Sequence, residues 1–321
     1  MVDKSDVGLW DKIRRNRLAY YYILPAGIVM AVVTAYPILY EVWMSFTNFT
    51  IVNLRNPHPA FVGFSNFIKI FKNQVALENF NFWRTFLFDI FWTISNVALH
   101  VTIGISLAVA LNTPRLAFKK IYRSILIVPW AVPSYISALI WKNMFDTQFG
   151  AVNQLLAKFG LPSSIPWLTS PNAPIKILSF LSYAFYADLI TNVWLGFPFM
   201  MVVALGALQS IPQEIYEAAD IDGVNERGKF FRITLPLIRT AMTPAIMLGI
   251  VWTFNQFNVI YLVSGGGPLG TTEILVTQAF KLVNPGGVYG IASAFGLIVF
   301  FILLGITLIT NRISKATESA T

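Results

Sequence analysis

Residues 217–236 read EAADIDGVNERGKFFRITLP, a polar stretch that is dense in charges of both signs. Long apolar runs lie on both sides of it, so the stretch connects two segments suited to hydrocarbon. Its spacing is specific: Glu-Ala-Ala at 217–219 is followed by Gly223, and Ile-Thr-Leu-Pro follows at 233–236. The pattern predicts two short helices joined at a sharp turn.

Residues that favour helix ends mark these two helices. Ser210 and Gln213 have the spacing of a capping box, which favours a helix that begins there. Gly223 is placed to end this helix in a left-handed conformation, which costs a residue with a side chain about 1–2 kcal/mol. Asn225 can cap a second short helix at residues 226–233, which Pro236 ends or kinks. Two short helices at an angle would form a rigid body that can transmit movement.

The composition of the whole chain is that of a membrane protein. Of its 321 residues 56% are apolar and 12% charged, and its mean hydropathy is +0.63. Without cysteine, and with only His58 and His100 as histidines, no metal cluster is expected. The net charge of +8 is not concentrated in a basic block, so no nucleic-acid partner is expected. Residues 223–229 carry glycines and a lysine, but Phe230 replaces the hydroxyl of a P-loop, so ATP should not bind here.

Six apolar runs are long enough to cross about 30 Å of hydrocarbon, which takes roughly 20 helical residues. The expected fold class is therefore an all-α polytopic membrane protein with six transmembrane helices. We place these spans, in chain order, at residues 18–40, 86–111, 121–145, 183–208, 238–263 and 288–310.

The distribution of lysine and arginine predicts the orientation of the spans. With six spans, fifteen of the 23 basic residues fall on one side and eight on the other. Both termini and the loop at 209–237 are on the richer side, which predicts that they face the cytoplasm. Residues 1–17 mix apolar and basic residues, which indicates either an amphipathic segment on the membrane surface or a basic tail. Residues 313–321 would form a short cytoplasmic tail.

Two segments on the opposite side are rich in asparagine, proline and aromatic residues. They are the predicted periplasmic loop at 41–85 and the segment at 146–182. Both are too long for tight turns and too aromatic for disorder. We expect packed caps with short helices on the outer face of the membrane.

The stretch at 217–236 resembles, position for position, the EAA loop of permease subunits in binding-protein-dependent ABC importers. The resemblance covers roughly residues 80–312. Its other motifs are similar to those of the first permease in carbohydrate systems of the maltose and glycerol-phosphate type. These motifs are NVWLGFPFM at 192–200, GALQSIP at 206–212, WTFNQF at 252–257 and SGGGP at 264–268.

The resemblance implies a type I ABC importer permease fold and a transport subunit without catalytic residues. Its implied partners are a second homologous permease, a dimer of ATPases that binds ATP and magnesium, a periplasmic or lipid-anchored solute-binding protein, and membrane lipid. The implied location is the cytoplasmic (inner) membrane of a bacterium or archaeon. The loop at 209–237 would couple the chain to the ATPases, or else it is a solvated connector. The residues assigned to coupling are Glu217, Ala218, Ala219, Asp222, Gly223, Ile233, Leu235 and Pro236.

The resemblance also implies a pathway for a sugar between the spans that flank the loop. Sugars need aromatic faces for stacking and amide or hydroxyl partners for their ring hydroxyls. Residues 249, 252, 253 and 256 would share one helical face, which suits a pathway, although ordinary packing between helices would explain the same pattern. The residues assigned to the pathway are Asn192, Leu195, Gly196, Phe199, Gly249, Trp252, Thr253 and Gln256.

Other functions remain open at this point. The solute could be an acidic glycan, a glycerol phosphate or a peptide. A stand-alone secondary transporter would need inverted repeats or a charged relay, and a membrane enzyme would need a catalytic cluster, and neither is evident. Asp89 and Asp188 are expected near the outer ends of spans within reach of water, and His100 is expected deeper, as a neutral structural residue.

Overall fold

The computed structural model describes residues 14, 16–56, 58–113, 116–284 and 286–318, the side chains of residues 176 and 313–318 excepted. The predicted amphipathic segment at 1–17 lies almost wholly outside the described residues. Those residues form helices and loops, with one isolated β-bridge between Thr47 and Phe61. The helices are α1 (Arg17–Ser45), α2 (Ser65–Phe71), α3 (Phe82–Asn112), α4 (Lys119–Ala131), α5 (Ser134–Met144), α6 (Ala151–Lys158), α7 (Tyr183–Gln209), α8 (Gln213–Ile221), α9 (residues 226–254), α10 (residues 257–264), α11 (Leu275–Val283) and α12 (Tyr289–Glu318).

Five segments are long and apolar enough to cross a membrane, and a sixth span results if α4 and α5 are counted as one bent unit. These five segments are α1, α3, α7, the combined α9 and α10, and α12. The expected all-α polytopic fold class is confirmed. Most predicted bounds differ from the observed ones by a few residues at each end, because polar residues extend the helices beyond the apolar runs.

The span predicted at 121–145 is present only as a bent pair of helices, so the prediction of one continuous helix there is wrong. Helix α4 ends at Ala131, α5 begins at Ser134, and the two axes differ by 93°. Pro133 has no N–H to continue the helical ladder, and Val132 before it takes an extended conformation with ψ of 133°. The apolar pattern runs through this break because hydropathy does not register a change of direction.

The predicted short helix at 226–233 is also wrong, since it continues into the span as α9. Residues Phe230–Thr234 form a π-helical turn, and Pro236 then lies in the first turn of the regular helix that follows, where its missing N–H is tolerated. The span predicted at 238–263 is interrupted as well, because α9 ends at Phe254 and α10 begins at Phe257.

Helices α3 and α7 pack along their length and form the centre of the fold. Small residues permit the close approach: a Cβ at Gly104 would lie 2.7 Å from the Met200 side chain, and one at Gly196 would overlap the ring of His100. By contrast, none of the residues in the first half of α1, Arg17–Met30, is buried.

Asp89 and Asp188, expected within reach of water, are both fully buried, which corrects that prediction. Residues 264–283, folded back against α3 and α7, account for it. Asp89 Oδ2 accepts a hydrogen bond of 3.1 Å from the main-chain N–H of Leu275, the first residue of α11. The carboxylate therefore caps an outlying helix from within the bundle.

Candidate functional site

The stretch that connects α7 to α9 folds as a compact turn around α8. The predicted capping box is wrong: Pro212 is the cap residue of α8, and the Ser210 hydroxyl instead donates to Ala207 at the end of α7. Gly223 has φ of +72°, as its predicted left-handed role requires. Asn225 caps α9 as predicted, since its Oδ1 accepts a 2.8 Å hydrogen bond from Gly228 N.

Two contacts that the sequence analysis missed tie α8 to the start of α9. Lys229 Nζ forms an ion pair with Asp220 on α8 and a second one, at 2.8 Å, with Glu226. Tyr216 on α8 lies 3.0 Å from the hydroxyl of Thr234. Because α9 is continuous with a span, these contacts join α8 to the membrane bundle.

The residues predicted to couple divide into an exposed set and a packed one. Ala219 is buried in the turn, and Ile233 is partly buried. Glu217 accepts a 3.0 Å hydrogen bond from Gln213, and its neighbour Ile221 is 88% exposed. The exposed members of the predicted set are Glu217, Ala218, Asp222, Gly223, Leu235 and Pro236.

A cavity of about 580 Å³ lies between α3, the bend from α4 to α5, α7 and the end of α9. All eight residues predicted for a solute pathway line this cavity, although their role remains a prediction. The sequence analysis placed Gln256 on one helical face with residues 249, 252 and 253. In the structure Gln256 lies beyond the end of α9, next to the start of α10, and still lines the cavity. The other residues that line it are His100, Trp130, Ala131, Val132, Pro133, Ser134, Met200, Val251 and Asn255.

The cavity exists because two helices are interrupted at the same place. The break between α4 and α5 and the break between α9 and α10 are joined by a 2.9 Å hydrogen bond from Asn258 Nδ2 to Ser134 Oγ. Unwound backbone at Val132, Pro133 and Asn255 then faces the cavity. Within a membrane, such backbone is tolerated where it lines a cavity.

Three aromatic rings form a row along the cavity. The ring centroids of Trp130 and Phe199 lie 5.9 Å apart, and those of Phe199 and Trp252 lie 5.4 Å apart. Trp130 and Trp252 are each about half exposed, so their faces are available to a ligand. Rows of this kind suit the apolar faces of sugar rings.

A chain of hydrogen bonds fixes the orientation of the amides at the cavity. Asn96 Nδ2 donates to the main-chain oxygen of Trp92 at 2.8 Å, so its Oδ1 is free to accept from Asn192 Nδ2, also at 2.8 Å. Asn192 Oδ1 in turn accepts from Gln256 Nε2 at 3.0 Å. Because the first acceptor is a carbonyl, each amide can point only one way. The Oε1 of Gln256 therefore remains as an acceptor at the cavity.

The described residues that line the cavity include no aspartate, glutamate, lysine or arginine. Trp130, Ser134 and His100 were absent from the predicted set. Pro129 and Pro133 lie close together in the sequence, and this spacing could have predicted a helix break beside Trp130 and Ser134. No local signal places His100 there, since its contact with α7 is tertiary.

Residues 100–318 match the family model described as the binding-protein-dependent transport system inner membrane component. The chain belongs to this family. It is thus a multi-pass membrane transport subunit, a permease, and the range contains α7, α8 and α9 entire. The functional class predicted from the motifs is confirmed.

Individual relatives extend the match over nearly the whole chain. The galactooligosaccharides transport system permease protein GanP of Bacillus subtilis (strain 168) is 36% identical over 92% of this chain and 70% of its own length. The trehalose/maltose transport system permease protein MalF of Thermococcus litoralis is 33% identical over 95% of this chain and 96% of its own.

The fold of this permease is shared with a solved transporter. A crystal structure of a bacterial ABC transporter involved in the import of the acidic polysaccharide alginate matches with a TM-score of 0.77. The match covers 96% of this chain and 98% of that chain at 24% identity, which establishes the common fold. The expected type I permease fold is confirmed.

Proposed function

We propose that this permease forms half of the translocation pathway of an ATP-driven importer for neutral sugars or oligosaccharides. The observation that carries the proposal is the lining of the 580 Å³ cavity, which combines a row of aromatic rings with oriented amides. The named substrates of its relatives, galactooligosaccharides and trehalose or maltose, support the same class.

The uncharged lining favours a neutral solute over an acidic glycan or a glycerol phosphate. An anionic solute would leave its charge uncompensated against this half of the pathway, at a cost of several kcal/mol in a desolvated site. A neutral sugar needs only stacking faces and hydrogen-bond partners, and Trp252, Asn192 and Gln256 supply both.

The other half of the pathway would come from a second, homologous permease. The first half of α1 supports this part of the proposal, because Tyr22, Val29 and their neighbours are all more than half exposed. Such a helix would lie partly against the second permease and partly against lipid.

The surface of α8 would bind the ATPase dimer. ATP and magnesium would bind to that dimer and not to this chain. Ile221 offers an apolar contact there, and Glu217 offers a carboxylate to polar or basic groups. Movement of the ATPases would pass through α8 and the turn at Gly223 into α9, which carries Trp252 at the cavity.

The assembly would lie in the cytoplasmic (inner) membrane of a bacterium or archaeon, with both termini and α8 in the cytoplasm. The loops at 46–81 and 145–182 would face a periplasmic or lipid-anchored solute-binding protein. The chain has no cysteine, so single cysteines report orientation directly. An impermeant thiol reagent added to intact cells should label Phe149→Cys and spare Arg227→Cys; the reverse pattern would contradict this orientation.

Transport by the purified assembly tests the function itself. A tag on this chain should co-purify a second permease and an ATPase. Proteoliposomes that contain this assembly and the binding protein should import maltose or galactobiose with ATP hydrolysis, and should not import an alginate trisaccharide. Import of the alginate trisaccharide but of neither neutral sugar would show that the transported solute is acidic. Import by this chain without an ATPase would make it a secondary transporter.

A further inference from the structure

His100 on α3 lies where the cavity meets the contact between α3 and α7. The residue is only 4% exposed, and it is one of those that line the cavity. Its Nε2 lies 2.9 Å from the main-chain oxygen of Asn192, and the ring rests against Gly196, where a Cβ would overlap it. Contacts from α7 therefore hold the imidazole in one position.

The contact with Asn192 also decides which nitrogen carries the proton. A carbonyl oxygen can only accept, so Nε2 must be the protonated nitrogen and donate. No carboxylate among the described residues pairs with this buried ring, so the neutral form fits the site. In a neutral imidazole Nδ1 is then an acceptor, and Nδ1 bonds to no described residue.

We propose that His100 is a specificity-determining residue of the cavity, whose Nδ1 accepts a hydrogen bond from one hydroxyl of the transported sugar. The inference rests on the proposed function and adds a contact that the pathway residues do not supply. It also gives Gly196 a role: with no side chain of its own, it makes room for the ring between the two helices. A solute that lacks the donor at this hydroxyl leaves Nδ1 unpaired and is selected against.

Two substitutions separate the two nitrogens. His100→Gln can bring an amide N–H to the position of Nε2, so it retains a donor to Asn192, but it has no acceptor at the position of Nδ1. His100→Asn can bring an amide oxygen to the position of Nδ1, but it is too short to reach Asn192. If the ring of His100 serves only in packing, His100→Gln should behave more like the wild type. If its Nδ1 selects the solute, His100→Asn should behave more like the wild type.

The probes are maltose and galactobiose, with derivatives in which a single hydroxyl is replaced by fluorine, which accepts but does not donate. Uptake is measured with the complete assembly at concentrations that saturate the binding protein. We expect the wild type to import the intact sugar about 3–10 times faster than one particular fluoro derivative. His100→Gln should lose that preference, and His100→Asn should retain it.

The results of this experiment separate a failure of the inference about His100 from a failure of the proposed function. If the wild type imports neither sugar, the proposed function fails and this inference is rejected with it. If the wild type imports a sugar but discriminates against none of its derivatives, or if His100→Gln keeps the wild-type preference, the inference is wrong and the function stands. Should His100→Gln not assemble, the preference of His100→Asn decides: loss of the preference in that variant overturns the inference.

Discussion

The turn around α8 and the cavity between the broken helices are built from contacts of very different range. In the turn, the partners are close in sequence: Lys229 pairs with Asp220 and Glu226, and Tyr216 meets Thr234. In the cavity, Asn96 bonds to Asn192 and Asn192 to Gln256, across separations of 96 and 64 residues. The turn, which is built from local contacts, can be altered by one backbone change. The cavity, which is built from contacts between distant segments, depends on the close packing of several helices.

The largest expected effect comes from the backbone of the turn. Gly223→Pro should abolish uptake while the protein still inserts, because proline cannot adopt the φ of +72° that ends α8. Gly223→Asn is the matched control, since asparagine tolerates this conformation, and it should retain most activity. Uptake and solute-stimulated ATP hydrolysis are measured together. Normal values in the proline variant would show that α8 is a passive connector.

Close packing at the cavity gives the next effect. Gly196→Ala forces a methyl group into the ring of His100, and overpacking of this kind costs about 1–3 kcal/mol, so uptake should fall by as much as about a hundredfold. Gly206→Ala on the same helix is the control, because a Cβ there meets no atom within 4 Å. Equal uptake by the two variants would mean that the ring of His100 moves freely.

Removal of an aromatic face should have a smaller effect. Trp252→Ala deletes the end of the aromatic row, and truncation of such an anchor costs about 1–3 kcal/mol, or one to two decades of uptake at limiting solute. Leu248→Ala on the same helix lies outside the cavity and should leave uptake unchanged. Basal ATP hydrolysis should survive both changes. A loss of uptake in the leucine variant alone would assign the pathway to another face of α9.

The amide chain should respond more weakly still. Gln256→Leu leaves the Oδ1 of Asn192 without its donor, a penalty of about 1–3 kcal/mol at most, and uptake should fall roughly tenfold. Asn258→Leu breaks only the link to Ser134, so it should lower the thermal stability of the assembly more than its uptake. If Asn258 proves necessary for uptake and Gln256 does not, packing between helices explains these residues better than a pathway.

The smallest effect should be found back in the turn. Lys229→Met removes two ion pairs whose acidic partners are exposed, and ion pairs of this kind contribute little because water and salt screen them. Uptake should fall by a few-fold, and high salt should reduce the difference from wild type. A complete loss of uptake would show that these ion pairs transmit the movement rather than support it.

The sequence by itself determined the fold class, the family, the left-handed Gly223 and the cap at Asn225. Each follows from hydropathy over a window of about 20 residues or from a turn whose contacts are local. It also named the eight pathway residues that come to line one cavity, through motif resemblance, but it placed Gln256 on a helix that has already ended.

Only the tertiary structure decided the angle of 93° between α4 and α5, the burial of Asp89 and Asp188, and the place of His100. A hydropathy window averages over a bend, and burial of an acid depends on residues nearly 200 positions away, such as Leu275 for Asp89. The protonated nitrogen of His100 follows from one carbonyl on another helix. Contacts between distant segments carry no local signal, because the chain must fold before they exist.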